Sequence, residues 1–170
     1  MYIIAIDPGP ERSGYVVFDG TRVLACGWAT TDSIRDVIWK WYDGQTYVVF
    51  EGVESYGMAV GVETFETVFV TGRLYEYAVR TYAVNIPDAH EESYVSRIYR
   101  KAIKLHLCGS ARAKDANIRV ALLDRFGGAK AAKGTKAEPG PLYGVSGHCW
   151  AALALAVTWW DQQGDVNGSR

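Results

Sequence analysis

Short apolar runs broken by turn residues fill the first third of the chain, and a longer periodicity takes over afterwards. The segments YIIAID, GYVVF and RVLACGW are rich in β-branched and aromatic residues and are separated by Gly, Asp and Pro, which predicts three strands in an antiparallel meander. The run SIRDVIWKWY then reads as a helix, with Asp32 placed to cap it. Residues 46–51, TYVVFE, return to strand composition. After a glycine-punctuated loop over 52–61, VETFETVFVTGRLYEYAVRTY sets Phe65, Phe69, Gly72, Val79 and Tyr82 on one helical stripe. That stripe reads as core or as a dimer interface, and Gly72, which weakens the helix, is expected to mark a close packing contact. Residues 83–86 read as a fifth strand ended by Pro87. Two helices are predicted over 91–107 and 114–126, and residues 127–147 read as a long loop rich in Gly, Lys and Pro. The last helix, within SGHCWAALALAVTWW, is rich in small residues and must pack tightly on the sheet.

Strands, helix, strand, helix, strand and then helices is an α/β order with a mixed five-stranded sheet flanked by helices. At 170 residues, with no internal repeat or linker, the chain is expected to form a single domain over residues 1–170. A hydrophobic share of 49% excludes a disordered or low-complexity chain. No apolar run is long enough to span a bilayer, and the start MYIIAID has neither a basic leader nor a cleavage site, so no membrane partner is expected. Cys26, Cys108 and Cys149 form no CxxC pair and suit free thiols in a reducing cytoplasm.

The charge balance changes the picture only when it is divided by region. The whole chain carries a formal charge of -1, which argues against a polyanionic partner. Residues 97–136, however, hold Arg97, Arg100, Lys101, Lys104, Arg112, Lys114, Arg119, Arg125, Lys130, Lys133 and Lys136 against only Asp115 and Asp124. A basic segment offset by an acidic remainder is the footprint of a protein that meets phosphate on one side. The three lysines at 130, 133 and 136 are expected to follow a phosphate backbone from a flexible, glycine-rich loop.

Two carboxylates end apolar strands, Asp7 after YIIAI and Glu51 after TYVVF, and each is followed at once by Pro-Gly or Gly. A carboxylate near a core is costly without a cation or hydrogen-bond donors, and oxygen ligands suit magnesium or manganese. The alternative is that each acid accepts hydrogen bonds from the turn after it. His148, near the start of the last helix, is either a satisfied core residue or a metal ligand. A zinc site drawn from His106, Cys108, His148 and Cys149 fails on spacing, and a Cys/His hydrolase built on Cys149 fails because neighbours on a helix point about 100° apart.

With these positions in order, the chain resembles the RuvC-like Holliday junction resolvases of the RNase H-like superfamily, particularly those carried by phages. The resemblance rests on YIIAIDPGPERSGYVVF, VVFEGVESYGMAVG, SARAKDANIRVALLDRFG and GVSGHCWAALALAV, which follow the family order over nearly the whole chain. It implies an RNase H-like fold, a homodimer and two divalent cations, Mg2+ or Mn2+, in each site. Asp7 matches the first-strand aspartate and Glu51 the fourth-strand glutamate, while His148 falls at the first ligand position of the last helix. Three residues on, Ala151 stands where the family usually has an aspartate. Glu54 and Asp161 are possible substitutes, with neither favoured.

The activity implied is structure-selective cleavage of four-way DNA junctions, in which two metals about 3.5–4 Å apart activate water and stabilise the leaving oxygen. Asp7 would bridge both ions, Glu51 would hold one and His148 the other. Lys114 would neutralise charge on the scissile phosphate, or is one more lysine contacting DNA beside Arg112, Arg119, Lys130, Lys133 and Lys136. Tyr56 and Met58, beside the fourth strand, either cover the core or wedge between bases of the junction. A two-fold dimer would match the two equivalent strands of a junction. The rivals are a relative that binds branched DNA without cutting it and an RNase H-like nuclease acting on RNA. An actin-like ATPase would need two lobes, and the chain has one.

Overall fold

In the computed structural model, which describes residues 1–55, 57, 59–86 and 94–167, the meander is β1 (Tyr2–Asp7), β2 (Arg12–Phe18) and β3 (Val23–Thr30). There follow α1 (Thr31–Trp41), β4 (Thr46–Gly52), α2 (Val62–Asn85), β5 (Val95–Tyr99), α3 (Arg100–Cys108), α4 (Asp115–Arg125), α5 (Gly128–Lys133) and α6 (Cys149–Asn167). The five strands lie in the order β3-β2-β1-β4-β5. The first three pair antiparallel, while β4 runs parallel to both β1 and β5. This is the mixed α/β sheet expected from the sequence.

Alternation along the strands sorts the core into two layers. Ile3 and Ala5 of β1, with Val49 of β4 and Ile98 of β5, face α3, α4 and α6. Ile4 and Ile6, with Val48, Phe50 and Val95, face α1 and α2. Each fully buried aliphatic side chain contributes about 1.5–3 kcal/mol over leaving it in water. Over residues 149–157 helix α6 is apolar all round, and Ala152 to Val157 are at most 1% exposed, as a helix enclosed between sheet and outer helices requires. Its small residues let it lie close against β1 and β2.

Several boundaries differ from the sequence reading. The cap of α1 is Thr30, whose Oγ1 accepts from the Ser33 amide, and Asp32 lies in the first turn. Because β3 runs straight into the helix, the last extended residue is the one placed to cap. Residues 83–86 do not form a strand. Tyr82 is buried and holds the last turn of α2 on the core, so the helix continues to Asn85. The fifth strand is VSRIY, inside the segment read as a helix over 91–107, and α3 starts only at Arg100. The 127–147 segment is not an open loop. It holds α5, a bridge between Gly134 and Pro139, and fully buried Ala132 and Leu142, with the Leu142 amide donating to the Ala132 carbonyl at 2.7 Å.

The α2 stripe divides in the middle. Val79 and Tyr82 are core, whereas Val62, Phe65, Val68 and Phe69 are exposed, Phe65 and Phe69 by 62% each. Gly72 marks no close contact, since a Cβ there would meet open space. No helix among the described residues is long and apolar enough to cross a membrane.

Candidate active site

Parity and register bring the two strand-end acids together. Asp7 shares the face of Ile3 and Ala5, and Glu51 shares that of Val49, so both point toward α6. Parallel pairing matches Ile6 with Phe50, which sets Asp7 and Glu51 side by side at the next step. Both line a cleft of about 770 Å³ with Arg100, Asp115, Arg119, His148, Trp150 and Ala151. It opens at the carboxyl ends of β1 and β4, where α3, α4 and α6 begin.

Burial dominates the electrostatics of the pair. It pushes the Asp7 carboxyl up to about 6, against the lowering pull of Arg100 and His148. Burial, and then the charge of Asp7, pushes Glu51 up to about 7, again opposed by Arg100. The Arg100 guanidinium spans two acids, with Nη1 donating to Glu51 Oε2 at 3.0 Å and Nη2 to Asp115 Oδ1 at 2.5 Å. Neither Arg100 nor Asp115 was singled out from the sequence. In the sequence Arg100 is one of eleven basic residues over 97–136, and Asp115 is one of the two acids opposing them.

His148 immediately precedes α6 and is exposed. Its imidazole stacks on Trp28 of β3, with centroids 4.7 Å apart and planes 17° from parallel. The Arg12 guanidinium also lies over the Trp28 ring, 5.1 Å from its centroid. Trp28 pairs across the ladder with Gly14, and the missing side chain there admits the backbone of His148. A Cβ on Gly14 would stand 2.7 Å from the His148 carbonyl oxygen. The ring is therefore held beside Asp7 from β2 and β3, a role that Trp28 and Gly14 gave no sign of in the sequence.

The basic residues are divided. Arg119 lines the cleft, and its guanidinium lies 4.9 Å from the centroid of Trp150, with Lys133 Nζ at 6.0 Å from the same ring. Arg112, Lys130 and Lys136 are exposed. Lys114 is the N-cap of α4, exposed, next to Asp115 but outside the cleft lining. Tyr56 and Met58 lie outside the described residues. Glu54 stands on a smaller recess with Asp7 and Glu51. Asp161 is occupied elsewhere, accepting both Arg125 Nη1 and Nη2 at 2.6 Å and meeting His106 Nε2 at 2.7 Å. The cysteines are free thiols.

Two adjacent carboxylates suit one hard divalent cation, since magnesium is commonly bound through one or two carboxylates with water and phosphate oxygens completing its shell. Beyond these two acids, no fuller donor set is gathered among the described residues. Ala151 offers no donor, and among the described residues no group of three His, Cys, Asp or Glu is placed to hold a metal ion.

No family model matches the chain, and no curated protein matches it in sequence. Solved structures do. The chain is similar to "Thermus thermophilus RuvC structure" with a TM-score of 0.61 and 17% identity over 96% of this chain and 97% of that one. It is equally similar to "T. thermophilus RuvC in complex with Holliday junction substrate", with a TM-score of 0.61 and 16% identity over 96% of each chain. The fold is thus RuvC-like, of the RNase H type, over almost its whole length.

Proposed function

We propose that the protein is a divalent-metal-dependent endonuclease that cuts four-way DNA junctions. The observation that carries this reading is the pair of half-buried carboxylates at adjacent parallel strand ends, facing a cleft whose other wall holds Arg119 and Trp150. The fold shared with RuvC, one structure of which holds a Holliday junction, supports the same substrate class.

Asp7 and Glu51 would hold the cation, with His148 beside Asp7 as a further donor. When bound, such a cation supplies Lewis-acid charge to a phosphoryl oxygen and makes water a better nucleophile near neutral pH. Arg119 and Lys133, both fixed against the Trp150 ring, draw the phosphate backbone toward the acid pair. Lys114, Arg112, Lys130 and Lys136 extend that positive surface. The exposed apolar half of α2 gives the homodimer its interface, aligning two clefts with the two-fold symmetry of a junction.

Ala151 favours one competing reading, a protein that binds branched DNA without cutting it. Incubation of a synthetic four-way junction with Mg2+ or Mn2+, beside linear duplex and an RNA–DNA hybrid, separates the two. Symmetrical nicks in the junction, lost in Asp7→Asn, are expected. Tight junction binding with no nick in either metal would establish the binding protein. Preferential cutting of the hybrid would make it an RNA-directed nuclease, and nicking retained in Asp7→Asn would refute the assignment of the metal site.

A further inference from the structure

We infer that the Arg100 guanidinium takes the place of a second cation, so that each chain binds a single divalent ion. This rests on the metal-dependent reading above and extends it.

Arg100 joins two of the cleft's acids, as a cation would. One guanidinium nitrogen reaches Glu51 at 3.0 Å and the other reaches Asp115 at 2.5 Å, within the cleft that also holds Asp7. The side chain is only 26% exposed, so the pairing with Glu51, itself 14% exposed, is not a loosely solvated surface contact. A guanidinium is charged at every accessible pH, and its five N–H donors are not used up by two acids.

The location is unfavourable on local grounds, which indicates that the site dictates it. Arg100 is the first residue of α3, which has no acidic residue in its first turn and no side-chain cap at Tyr99. A cation there faces the positive end of the helix dipole. Three carboxylates from β1, β4 and α4 offset that repulsion. On the other side of the cleft, Ala151 supplies no oxygen, and among the described residues no three-donor group is gathered for a metal. Positive charge is thus supplied by a side chain within the same cleft that lacks an oxygen ligand at Ala151.

The test is the Mn2+ stoichiometry of the metal-free full chain, measured by calorimetry and by electron paramagnetic resonance of unbound Mn2+. The wild type and Arg100→Lys should bind one equivalent per chain. Arg100→Gln, which releases Glu51 and Asp115 from the guanidinium, should bind a second, and the further change Asp115→Asn should remove it. Two equivalents in the wild type, or one in Arg100→Gln, would overturn the inference while leaving a metal-dependent nuclease intact. No Mn2+ uptake by the wild type would defeat both.

Discussion

Glu51→Gln should remove the part of the protein's pH dependence that Glu51 contributes, and the size of the change follows from the acid's surroundings. Burial and the neighbouring Asp7 raise the Glu51 carboxyl from 4.5 to about 7. A carboxyl with a raised folded-state pKa favours the folded protein fully below its unfolded value, and that contribution is lost as pH rises through the folded value. The window is therefore about pH 4.5 to 7. A shift of this size corresponds to about 3 kcal/mol lost by the metal-free wild type across that window. For a chain of this length, that is roughly 6–12 °C in melting temperature. Glutamine keeps the shape and can still accept from Arg100, but it has no charge to bury. Thermal melts of both proteins in chelator, from pH 4.5 to 8, should converge at the acid end and separate at the alkaline end with the variant more stable. Comparison at each pH cancels the contribution of Asp7, whose carboxyl burial raises to about 6 and which loses stability over an overlapping range in both proteins. Mn2+ at pH 8 should raise the melting temperature of the wild type and do little for the variant. Parallel curves from pH 4.5 to 8 would mean that Glu51 is not ionised against a burial cost, and the electrostatic account of the pair would fail.

Asp161→Asn should lower stability by about 1–3 kcal/mol, because Arg125 and His106 lose a shared charged acceptor. Junction nicking measured well below the melting temperature should be unchanged, and a large loss of nicking would make Asp161 part of the site. Gly14→Ala should cost about 1–3 kcal/mol by driving a methyl group against the His148 carbonyl, 2.7 Å away. Its nicking rate should fall more than its junction affinity, and equal losses would show that His148 is not the group displaced. Trp150→Leu removes the ring shared by Arg119 and Lys133, worth about 1–2 kcal/mol together, so junction affinity should weaken roughly five- to thirtyfold. Unchanged affinity in a filter-binding or anisotropy titration would remove Trp150 from the binding surface.

The first four strands were legible because strands covered on both faces read as short apolar runs bounded by turn residues. The fifth was not. VSRIY carries Arg97 in its centre and is followed at once by RKAIKLHL, so a five-residue strand merged with the helix after it. The end of α2 was misread for the opposite reason. Residues 83–86 offer two β-branched residues just before Pro87, but Tyr82 is buried against the sheet and its hydroxyl donates to the Thr46 carbonyl, which fixes the helix there. Propensity lost to tertiary contact in both places.

The site divides along the same physical line. Asp7 and Glu51 were legible because an acid at the end of an apolar strand is an anomaly whose cost is visible without coordinates. Arg100, Asp115, Trp28 and Gly14 break no local rule, and each acquires its role only from what another element places beside it. Arg100 illustrates the difference. Counted by region, it is one of eleven basic residues between 97 and 136, and the natural inference is a phosphate contact. Placed by the fold, it points inward to Glu51 and Asp115, and the basic segment contributes a cation to the acid cleft as well as a surface for DNA. The formal charge of -1 therefore hides two separate balances. One, on the surface, is available to phosphate. The other lies inside the cleft, where a carboxylate pair and a guanidinium already meet, and it leaves room for less metal than the acids alone would suggest.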